Sequence, residues 1–83
     1  MPRYFFHTED GVTHTDREGL ELAGIRQARI EGARAIGQLV NLKPEEFWED
    51  GGLRVTVTDH VGLVLFILDL SAIESPAIAK RLT

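Results

Sequence analysis

A single helical stripe divides the chain in two. From Ile25 to Leu42, the residues Ile25, Ala28, Gly32, Ala35, Ile36 and Leu39 fall on one side of a 100°-per-residue wheel, and Arg26, Gln27, Arg34, Gln38 and Asn41 fall outside it. On either side of that stretch the period drops to two. Arg3-Tyr4-Phe5-Phe6-His7-Thr8 is aromatic and β-prone, Asp10-Gly11 is a pair that hairpin turns favour, and Val12-Thr13-His14-Thr15 reads as the returning strand. Leu53 to Thr58 alternates cleanly, Asp59 and Gly62 suit the first and fourth positions of a type I turn, and Leu63 to Leu70 returns. The expected order is β-β-α-β-β. It describes an α+β domain in which two hairpins form a four-stranded antiparallel sheet with one long amphipathic helix on one face.

Local signals place the ends of these elements. Gly24 is a tolerable N-cap, Glu21 lies close enough to favour the positive end of the helix dipole, and Lys43-Pro44 stops the helix. Gly32 costs about 1 kcal/mol relative to alanine inside a helix, a cost that makes sense if the helix sits close to the sheet there. Asp16 to Gly19 reads as a polar loop and Leu20-Glu21-Leu22 as a connector. Pro44 to Asp50, followed by Gly51-Gly52, predicts one short helical turn pinned by Phe47 and Trp48. Ser75-Pro76-Ala77 to Leu82 opens like a terminal helix. The 83 residues make one domain, 1–83, with its core over residues 3–70 and a tail from 71 to 83.

One helix covers one face of a four-stranded sheet, so the other face should be polar. The last strand disobeys, because Leu63, Leu65 and Ile67 lie on one side while Val64, Phe66, Leu68 and Leu70 lie on the other. The first strand repeats the conflict, with Tyr4 and Phe6 alternating against Phe5. Three coverings compete: the segment with Ile73 and Ile78, the Phe47-Trp48 turn, or a second copy of the chain. Each segment supplies only two or three large apolar groups, which favours a homodimer built on Phe5, Val64, Phe66 and Leu68, through the uncovered face or an edge strand.

Composition narrows the function classes. No cysteine is present, which removes disulfides, thiolate metal sites and thiol catalysis and suits a reducing, cytoplasmic setting. No apolar run reaches the roughly 20 residues that cross a bilayer, so no membrane partner is expected. With 9 basic against 13 acidic side chains the net charge is −4, which repels nucleic acid. The arginines Arg26, Arg29 and Arg34 on the helix, partly answered by Glu31, read as a solvated face and make nucleic-acid association the weakest alternative. No phosphate loop, nucleophile elbow or metalloprotease run occurs, so the chain is expected to be no enzyme and to need no cofactor. The alternative is a metal site. If Asp10-Gly11 forms a two-residue turn, His7 faces His14 across the hairpin with Cβ atoms about 5 Å apart, and Asp16 adds an oxygen. A three-residue loop would separate the pair. His60 reads as a solvated turn residue.

The opening Arg3-Tyr4-Phe5-Phe6-His7 with Asp10-Gly11, followed by Gly19, the Ala/Arg-rich helix and Val57-Thr58-Asp59 with Gly62, resembles a small bacterial domain-of-unknown-function family. That family is common in rhizobia and related alphaproteobacteria. The similarity runs from Arg3 to about Leu70, and the chain departs from it at Ala23-Gly24, where an acidic N-cap is usual. The resemblance implies a stand-alone bacterial domain and assigns no activity, partner or site residue.

Overall fold

The computed structural model describes residues 1–78 of the chain. Its elements are β1 (Arg3–Glu9), β2 (Thr13–His14), β3 (Leu20–Glu21), α1 (Ile25–Leu42), α2 (Pro44–Asp50), β4 (Gly52–Thr58) and β5 (Val64–Ser71). The α+β class and the antiparallel sheet follow the expectation; the counts of strands and helices do not. The sheet has five strands in the order β2-β1-β4-β5, with β3 also paired to β1. The two hairpins therefore meet through β1 and β4, from Phe5 opposite Thr58 to Glu9 opposite Arg54.

The extra strand is the supposed connector. Leu20 and Glu21 pair with Tyr4 and Arg3, so β2 and β3 are two ends of one arm that leaves β1 between them. The Arg3 guanidinium binds Glu21 at 3.1 Å, an exposed ion pair that joins β3 to β1. The second helix is the expected short turn grown to seven residues. Pro44 starts it, Glu45 and Glu46 lie in its first turn, and Gly51 at φ 79° ends it in the left-handed region. Phe47 alone pins it, because Trp48 remains 55% exposed.

α1 keeps the boundaries that its periodicity predicts, from an extended Gly24 that supplies no side-chain cap to Lys43. Its buried positions are Ala28 and Gly32, and it packs over β4 and β5. A Cβ at Gly32 would stand 3.0 Å from Leu68 Cδ1 and 3.4 Å from Phe66 Cε2, so the missing side chain sets the helix-to-sheet distance. The core beneath it is small: Tyr4, Ala28, Val55 and Val57, flanked by Phe6, Leu22, Ile36, Phe66 and Leu68. The β4–β5 turn forms as expected, with Gly62 donating to the Asp59 carbonyl at 3.2 Å and the Asp59 carboxylate accepting from Val61 and Leu63. The terminal helix expected from Ser75 to Leu82 falls partly on residues 79–83, outside the described residues.

Candidate functional site

Which face α1 covers decides what the second face is. Val55 and Val57 point at the helix, and the register places Leu68 beside Val55 and Phe66 beside Val57. Phe66 and Leu68, expected on the uncovered face, therefore lie under α1, because Gly32 lets the helix settle on them. The opposite face carries Phe5, His7, Glu9, Arg54, Thr56, Ile67 and Asp69 by alternation. It is mixed, and a half-buried Phe5 is tucked against Gly19. Neither competing segment covers that face. α2 packs on α1 and β4, and Ile73 is 86% exposed.

The two edges of the sheet differ. On one side β2 and β3 contribute only two residues each, and the gap between them is filled by a side chain. Phe6 N–H donates to Asp16 Oδ2 at 3.0 Å, while Glu18 and Gly19 N–H groups donate to Asp16 Oδ1. That edge is short, irregular and polar, which blunts it against further pairing. On the other side β5 presents eight residues, VLFILDLS, with no proline or lysine, and no strand of the described residues lies beyond it. Its single charge is spent. Asp69 forms a two-pronged pair with Arg54 of β4, Nε to Oδ1 at 2.8 Å and Nη2 to Oδ2 at 3.0 Å, and that hydrogen bond holds the Asp69 carboxyl below its usual range.

Apolar exposure gathers at this edge. Val61, Leu63, Val64, Leu65, Ile67 and Leu70 all count among the exposed large hydrophobic residues. The accessible surface totals 6220 Å², where a compact monomer of 9.3 kDa shows about 5,000 Å², and the excess is shared between this edge and the ends of the chain, where Met1 is 82% and Ile73 86% exposed. The Cα radius of gyration, 15.3 Å, likewise exceeds the about 12 Å of a compact domain of this length. Of the interface residues expected from sequence, Val64 lies in the exposed patch, Phe66 and Leu68 form its half-buried inner wall, and Phe5 belongs to another part of the sheet. Sequence reasoning missed Leu65 and Ile67 as the outward pair. The alternation was visible, but which side the helix would take was not.

The histidines do not come together. The hairpin loop has three residues, Asp10 to Val12, so Thr8 faces His14 and Glu9 faces Thr13. His7 and His14 thus project from opposite faces, which corrects the pairing that a two-residue turn would give. Gly11, at φ 93°, takes the left-handed position the longer loop needs. His14 Nε2 lies 3.4 Å from Asp10 Oδ1. His7 is held at both ring nitrogens: Nδ1 accepts the Asp16 N–H at 3.1 Å, which leaves Nε2 as donor to Thr58 Oγ1 at 3.0 Å. Asp16, the supposed third ligand, is occupied by backbone N–H groups. His7, Asp16 and His60 border a shallow depression of about 200 Å³, and His60 makes no hydrogen bond to His7 among the described residues. Among the described residues no group of three metal-ligating side chains converges, and no helix is long and apolar enough to cross a membrane. On α1, Arg34 pairs with Glu31 at 3.0 Å, as its spacing predicts.

A family model described as a domain of unknown function (DUF6894) matches residues 3–71. No curated protein and no solved structure matches the chain.

Proposed function

The chain belongs to the DUF6894 family, and we propose that it works as a non-enzymatic, self-associating interaction module whose contact is the outer edge of β5, paired antiparallel with β5 of a second copy. The observation that carries this reading is the contrast between the two edges: one is interrupted and sealed by Asp16, whereas β5 offers eight open residues whose lone charge is neutralised within the sheet. Open backbone donors and acceptors flanked by apolar side chains are satisfied most directly by another strand. Apolar exposure supports the same partner: Val64, Leu65, Ile67 and Leu70 of β5 are all exposed, and a second copy of the strand would hide them on both sides of the seam. A reducing, cytoplasmic setting belongs to this reading, in keeping with a chain that has no cysteine.

Size-exclusion chromatography with light scattering tests it. The wild type is expected to run at twice the chain mass, and Leu65→Lys/Ile67→Lys at the single mass with an unchanged far-ultraviolet spectrum, because both side chains are already exposed. A wild type that stays monomeric at high concentration overturns the proposal, as does a double variant that remains dimeric.

A further inference from the structure

The helix layer stops short at the β5 side. Glu31, Arg34, Ala35 and Gln38 border a depression shared with Phe6 and Leu20, so that flank of α1 faces β1. The helical repeat places Ile25, Arg29, Ala33, Ile36 and Val40 on the opposite flank, toward the outer side of β5. Beneath that flank the sheet is not closed: Phe66 and Leu68 face α1 yet are only half-buried, and Leu70 on the same face is 38% exposed. The rim of the helix face is open on the β5 side.

We propose that in the β5-paired dimer the two α1 helices pack antiparallel against each other through the Arg29-Ala33-Ile36 flank, closing over Phe66, Leu68 and Leu70 of both copies. This rests on the edge pairing above and adds a second layer to it. Two identical strands paired antiparallel are related by a two-fold axis perpendicular to the sheet, which puts both helices on the same face. Spacing then decides whether they touch. Strands stand about 4.8 Å apart, so a helix lying over β4 and β5 sits about one strand spacing from the axis. The two helix axes are then about 9–10 Å apart, within the 8–10 Å of packed helices. A helix centred over β1 and β4 would leave about 19 Å between axes by the same spacing, and no contact. Gly32 lies over Leu68, near the middle of β5, so a two-fold centred there brings the two Ala33 side chains together at the crossing. Arg29 then falls beside the Ile36 region of the other helix, away from its own copy.

The absence of cysteine from the sequence makes single-cysteine variants unambiguous. Ala33→Cys, flanked by Arg29→Cys and Ile36→Cys to cover a shifted strand register, is compared with Arg34→Cys and Gln38→Cys on the β1 flank, each under mild oxidation. The expected result is a disulfide-linked dimer from at least one of the first three and none from the controls. A light-scattering dimer in which no variant of the first set cross-links overturns the helix pairing and leaves the edge pairing standing. Controls that cross-link as readily as the first set overturn the helix pairing too. A wild type that is monomeric by light scattering overturns the edge reading and this inference with it.

Discussion

The Asp16 carboxylate accepts the Phe6 backbone N–H at 3.0 Å, in the gap that β2 and β3 leave along β1. β2 reaches only Thr8 and Glu9, and β3 only Arg3 and Tyr4. A side chain here replaces a stretch of strand, and its other oxygen fixes the Glu18–Gly19 turn, where Gly19 sits at φ 70°.

Replacing Asp16 by alanine removes the two acceptor oxygens that serve three backbone donors and should cost about 1–3 kcal/mol in urea unfolding. The pH dependence has a definite sign. Burial works against the charged carboxylate, but the Phe6, Gly19 and Glu18 N–H groups and the nearby His7 outweigh it, holding the folded-state pKa below the ordinary 3.8. The stability this gives is complete above the ordinary value and is lost as pH falls through the lower folded value. Urea midpoints measured from about pH 5 to about pH 2 should therefore fall less steeply in Asp16→Asn than in wild type. Equal slopes would assign the acid sensitivity to other carboxylates.

Gly32 gives a graded prediction. Alanine there gains about 1 kcal/mol of helix propensity but meets the flexible end of Leu68 at 3.0 Å, so Gly32→Ala should stay within about 1 kcal/mol of wild type. Leucine cannot fit without lifting α1, and Gly32→Leu should cost about 1–3 kcal/mol. Thermal unfolding of the pair separates a spacing role from simple propensity, which would make both substitutions stabilising.

Periodicity made α1 and the long strands legible, because each has enough residues to show its repeat. Gly32 as a contact point and the Asp59–Gly62 turn were legible for the same local reason. The two-residue β3 was not: a pair such as Leu20-Glu21 has no period, and it becomes a strand only because Asp16 and Gly19 fold the loop back onto β1. The histidine register failed on one residue of loop length, since a loop ending at Val12 instead of Gly11 turns His7 away from His14. The outward side of β5 was underdetermined because Leu65 and Ile67 are as apolar as Phe66 and Leu68; only the helix position, set by Gly32, tells them apart.

That register makes a metal prediction. With imidazoles on opposite faces and Asp16 occupied by backbone donors, a stoichiometric excess of zinc should leave the melting temperature of wild type, His7→Ala and His14→Ala unchanged relative to each metal-free protein. A ligand at 100 times its Kd would add about 2.7 kcal/mol, an easily seen rise. Such a rise in wild type, lost in both variants, would show that the two histidines meet in solution.

The last prediction joins the small core to the open edge. Val55 and Val57 are the largest fully buried side chains among the described residues, so a lone copy has little buried volume to set against its chain entropy. If pairing supplies the remainder, unfolding releases two chains from one particle, and mass action raises the melting midpoint with protein concentration. Wild type should show that rise. Ile67→Lys, which places a charge on an outward position already 49% exposed, should melt lower and at a midpoint independent of concentration. The substitution itself costs a folded monomer little at such a site, within about 0.5 kcal/mol, so the drop would measure the lost contact. A concentration-independent midpoint in wild type would mean that the core, small as it is, suffices alone.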